Sequence, residues 1–69
     1  MKRVDIQYGG EHYSIAGREL DDVKREIADG YDTGSIFWLS VNSGEGQLRP
    51  AELALSPGIA IAVSAAHEE

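Results

Sequence analysis

The chain has no cysteine, so neither disulfides nor thiolate metal sites can hold its 69 residues together. A sequence this short buries only about 60% of the surface its unfolded form exposes. It must therefore pack efficiently or find a partner. Basic residues are also scarce: six Lys and Arg stand against twelve Asp and Glu, for a net charge of −6. Lys2, Arg3, Arg18, Lys24, Arg25 and Arg49 never cluster beyond pairs, so no nucleic-acid or anionic-membrane surface is expected. No apolar run approaches the ~20 residues of a membrane span. Lys2 and Arg3 are followed by Asp5, Gln7 and a glycine pair, which is not the pattern of a signal peptide. These absences point to a soluble, cytoplasmic protein made of one small domain over 1–69.

Aromatic residues are few, and the only Trp and the only Phe fall in one stretch, Ser35-Ile-Phe-Trp-Leu-Ser-Val41. β-branched and aromatic content favours a strand. Phe37, Leu39 and Val41 share one face, and Ile36, Trp38 and Ser40 the other. A strand apolar on both faces reads as interior to its sheet.

Residues 2–8 alternate, with Val4, Ile6 and Tyr8 on one face. Gly9-Gly10 then suits a two-residue hairpin loop. That loop sets Tyr8 opposite Glu11, Ile6 opposite Tyr13 and Val4 opposite Ile15, with Gln7 opposite His12 on the other face. Residues 18–29 read as a helix whose apolar stripe is Leu20, Val23 and Ile27. Glu19, Asp21 and Asp22 suit its N-terminal dipole, Asp21 can pair with Arg25, and Gly30 follows as the terminating glycine.

Residues 31–34 form a loop, and Asn42 to Gly46 a turn. Gln47-Leu-Arg49 suggests a short returning strand, ended by Pro50. Ala51 to Leu55 is read as one helical turn or irregular chain, although Leu53 and Leu55 alternate like a strand. Ser56-Pro-Gly58 predicts a type II turn. Residues 59–65 form the last strand, apolar on both faces and so expected to be interior, and 66–69 a frayed tail.

These elements give an α+β class: a β-hairpin, one helix, then two or three strands in a mixed sheet with the helix on one face. The element order resembles that of β-grasp (ubiquitin-like) proteins. That resemblance implies a last strand lying between the first and third. It carries no function here, because the chain ends in His67-Glu-Glu69 rather than the Gly-Gly tail of a conjugated modifier. A helix against meander strands is the second topology.

Candidate chemistry is sparse. His12 lies on a strand and His67 in the tail, and no arrangement of nucleophile, base and orienting group is suggested. Asp22 and Glu26, four apart on a helix, could ligate a hard cation but read as a solvated face. Ser43-Gly-Glu-Gly-Gln47 lacks the Gly-Lys-Ser/Thr of a phosphate loop. No catalytic residue, metal or cofactor is expected.

The remaining feature is the face that the helix leaves uncovered. It would display Ile36, Trp38, Ala60 and Ala62, with Ala16 nearby: small residues around one large anchor. Either this face is an interface, or residues 47–55 or the tail fold over it. The expected function is therefore a non-catalytic module that binds a protein partner or itself, through the Trp38 face or an edge strand. The alternative is an acidic inhibitor or immunity-type protein mimicking nucleic acid through Glu19, Asp21, Asp22 and Glu26.

Overall fold

The Gly9-Gly10 loop sets the first hairpin. Both glycines have positive φ, 61° and 86°, as a type I′ turn requires. Strands β1 (Lys2–Tyr8) and β2 (Glu11–Ala16) pair antiparallel in the expected register, Ile6 opposite Tyr13 and Val4 opposite Ile15. A computed structural model describes residues 2–34, 36–44 and 47–67 of the chain, with His67 described by its backbone alone.

Gly17 leaves β2 at φ 77°, and helix α1 (Leu20–Asp32) follows. Val23 and Ile27 are buried and Leu20 is half-buried, as the stripe predicts. The helix does not stop before Gly30. Gly30 is buried inside it, where a Cβ would lie within 2.7 Å of three ring carbons of Phe37. The terminating glycine is Gly34, at φ 74°, whose N–H donates to the Tyr31 carbonyl at 3.3 Å. A glycine that admits a ring and a glycine that ends a helix look alike in sequence.

Strand β3 (Phe37–Asn42) pairs with β4 (Pro50–Leu55), and β5 (Ile61–His67) pairs with β1. The sheet order is β4-β3-β2-β1-β5, and every pairing is antiparallel. This is a small α+β fold with one helix and an open five-stranded sheet. The expected mixed sheet is therefore corrected. So is the strand order that the β-grasp resemblance implies: β5 lies at an edge beside β1, not between β1 and β3. β3 is interior, as expected. β5 misled because its outward residues are mostly alanine, which is at home buried or exposed.

Residues 50–55 are a strand, not a helical turn. Pro50 begins it, a position where a missing N–H costs no ladder bond, and Leu53 and Leu55 are buried. Residues 47–49 belong to the β3–β4 loop instead. Asn42 organises that loop: its Oδ1 accepts from Arg49 N–H at 2.7 Å and its Nδ2 donates to the Gly44 carbonyl at 3.1 Å. The turn after β4 closes with Ile59 N–H donating to the Ser56 carbonyl at 3.1 Å. Gly58 is not at positive φ, so the turn is not type II. Ala66 and His67 continue β5 opposite Arg3 and Lys2 rather than fraying. The rest of the expected tail, residues 68 and 69, lies outside the described residues.

The sheet is not flat. β2 and β3 meet at one register pair, Ser14 opposite Asn42. In a flat sheet β1 and β4 would stand three spacings apart, about 14 Å, more than a tyrosine side chain spans. Yet the Tyr8 hydroxyl donates to the Ala54 carbonyl at 3.1 Å and accepts from Ser56 N–H at 2.8 Å. The two halves therefore fold toward one another at the β2–β3 seam, with Tyr8 tying the end of β4 to β1. Between them and α1 lie Val4, Ile6, Ile15, Val23, Ile27, Leu39, Val41, Leu53 and Leu55. Burying each such aliphatic side chain contributes roughly 1.5–3 kcal/mol.

Candidate functional site

Strand parity decides which side chains of β3 reach solvent. Leu39 and Val41 are buried and Phe37 is half-buried beneath Gly30, so Trp38 and Ser40 point outward. Trp38 is 58% exposed. Its cross-strand neighbour is Ala54, and that of Ser40 is Glu52. A methyl group beside an indole leaves most of the ring uncovered. Ile36, just before β3, is 71% exposed. Neither residues 47–55 nor the described part of the C-terminal segment buries Trp38.

The structure divides the expected patch. Ala60 and Ala62 are exposed, but they lie at or beside β5, and both β1 and β2 stand between β5 and β3. The intervening face is polar. Asp5 Oδ1 lies 3.2 Å from Arg3 Nε and 3.5 Å from His12 Nε2. This small cluster was readable in principle. The hairpin register puts Gln7 opposite His12, and Asp5 is the next residue along on the same face. Ala62 therefore belongs to a different surface from Trp38.

In exchange, Ile36 meets residues that sequence assigned elsewhere. A groove of about 570 Å³ runs between α1 and the start of β3. Gly30 and Phe37 give it apolar surface, and Ile36, Asp22 and Glu26 line it together with Arg18, Arg25, Asp29 and Thr33. So Ile36 from the expected interface and two carboxylates of the expected acidic surface share one depression, two residues along the chain from Trp38.

The helix carboxylates are partly neutralised within the chain. Glu26 accepts from the Arg18 guanidinium, Asp22 from Arg25 at 3.3 Å, and Glu19 pairs with Lys2. Arg25 thus pairs with Asp22 rather than with the expected Asp21. Hydrogen bonding and attraction from Glu19 raise the Lys2 pKa above its ordinary value. All these groups are exposed or half-exposed, so each pair contributes little to stability.

The other shifted group is the half-buried Tyr31. Burial raises the pKa of Tyr31, and the neighbouring Tyr8 phenol adds to that rise. The Tyr31 hydroxyl is buried with no hydrogen-bond partner among the described residues, whereas that of Tyr8 has two. Among the described residues there is no group of three or more His, Asp or Glu placed to hold a metal ion, and no helix is long and apolar enough to cross a membrane.

No protein-family profile, no curated protein and no solved structure matches the chain, so the candidate site rests on its own geometry.

Proposed function

We propose that the chain is a non-catalytic interaction module that takes a protein partner on the outward surface of the β3–β4 hairpin, with Trp38 as anchor. The observation that carries this reading is the exposure of Trp38 beside Ala54, with Ile36 exposed at the rim of the adjoining groove. A bare indole with an aliphatic neighbour is the chemistry of an interaction hot spot. The groove supplies both signs of charge around an apolar strip, which suits a mixed polypeptide surface better than a nucleic acid. A reducing compartment such as the cytoplasm suits a chain without cysteine.

The test is affinity capture with the parent chain and with Trp38→Arg as baits, at low and high salt. Trp38→Arg keeps its fold by circular dichroism, since Trp38 lies outside the buried core, and loses the partner that the parent retains in high salt. A folded variant that captures the same partner overturns the reading. If that capture also collapses with salt, the helix carboxylates are the better candidate.

A further inference from the structure

The two edges of the sheet are built differently. β4 opens with Pro50 and carries exposed Glu52, two of the devices that keep a sheet edge from pairing with another chain. β5 is seven residues long, and from Ile61 to Ala66 it has neither a charge nor a proline. The core also ends raggedly there. Ile6 in β1 is fully buried, but its β5 partner Val63 is only half-buried, and so is Ile61 opposite Tyr8. Ala65, opposite the fully buried Val4, is exposed.

We propose that β5 is a self-pairing edge, and that its occupant is β5 of a second copy of this chain, antiparallel about a two-fold axis at Ser64. Centring on Ser64 lets the whole strand overlap. Ser64 then faces its own copy, Ala62 faces Ala66, and Val63 faces Ala65. The strip suits a second copy because the two-fold sets small or apolar residues opposite one another, while the net charge opposes contact elsewhere. Each chain carries −6, so two copies can approach closely only where neither presents a charge. Ile61–Ala66 is such a strip, and the two-fold sets no like charges opposite one another within it.

Pairing would also cover Ile61 and Val63 from both copies on the inner side. It would leave only the two β4 edges exposed, each guarded by Pro50 and Glu52, so assembly closes at two. A single shared edge buries less than the about 800 Å² per partner of a standard interface. The dimer is therefore weak, forms as concentration rises, and tightens with salt as the mutual repulsion is screened. This inference goes beyond the Trp38 reading and does not depend on it.

The experiment is sedimentation equilibrium of the parent, Ser64→Lys and Trp38→Arg chains over a concentration series in low and high salt. Ser64 is exposed, so lysine there spares the fold while setting two ammonium groups opposite each other. The parent is expected to move toward twice its monomer mass, more readily in high salt. Ser64→Lys is expected to weaken association at least about tenfold, the equivalent of about 1.4 kcal/mol, and Trp38→Arg to leave it unchanged. A parent that stays monomeric throughout overturns the proposal. So does a Ser64→Lys chain that dimerises as the parent does, and so does loss of the dimer in a folded Trp38→Arg chain, which would move self-association to the other surface. As a second measurement, Ser64→Cys supplies the only thiol in the chain. Oxidation at dimer-forming concentration should give a disulfide-linked pair, and its absence counts against the register.

Discussion

Replacing Tyr8 with Phe removes one oxygen and tests how the sheet closes. That oxygen donates to the Ala54 carbonyl and accepts from Ser56 N–H. These two hydrogen bonds join β1 to the end of β4 and to the turn just after it, although β1 and β4 are not neighbours in the sheet. Each such bond contributes a net of roughly 0.5–1.5 kcal/mol, and a donor left unsatisfied away from water costs about 1–3 kcal/mol. Because the site is only partly buried, the expected loss is about 1–3 kcal/mol. A domain of this size has a total stability of only about 3–10 kcal/mol, so the loss is large. The thermal midpoint should fall by about 4–8 °C per kcal/mol.

Tyr31→Phe is the matched comparison. It deletes a buried hydroxyl that has no described partner, so it should be neutral or stabilising. Urea unfolding followed by circular dichroism reads both, with unchanged slopes showing that only stability has moved. Equal midpoints for the two variants would refute the folded-over sheet, because the two hydroxyls would then be equivalent.

Two further substitutions probe how the helix packs. Ile27→Ala should cost about 2–5 kcal/mol, as buried Ile truncations do. An unchanged denaturation midpoint would mean that α1 does not rest on the core. Gly30→Ala sets a favourable helix propensity of up to about 1 kcal/mol against a Cβ driven into the Phe37 ring. Overpacking typically costs about 1–3 kcal/mol, so the variant should be less stable than the parent in the same unfolding assay; a gain would show that Phe37 moves aside freely.

The hairpin was fully legible in sequence because two signals coincide there: a glycine pair with the φ freedom a two-residue loop needs, and an alternation that fails if the register slips. The helix stripe and the outward direction of Trp38 were legible for the same reason, since parity and periodicity are local. What sequence could not supply was long-range. Nothing local distinguishes β5 at an edge from β5 in the middle when its outward positions are Ala62, Ser64 and Ala66. Pro50 can end one strand or begin another, and only the burial of Leu53 and Leu55 decides. The candidate interface was half legible. Ile36 and Trp38 follow from the parity and position of one strand, but grouping them with Ala60 and Ala62 required a sheet order that the chain does not adopt. The groove joining Ile36 to Asp22 and Glu26 depends on how α1 crosses the sheet, which no spacing records.

Trp38 is the only tryptophan, so its fluorescence reports directly on the surface assigned to the partner. The decisive measurement is acrylamide quenching of that emission, first in the dilute free chain and then with the partner retained by affinity capture. In the free chain the indole should be readily quenched and should emit at the long wavelengths of a solvated ring; with partner bound it should be shielded and blue-shifted. An indole already shielded in the dilute monomer would place Trp38 in the core, and quenching that does not change on binding would place the partner elsewhere.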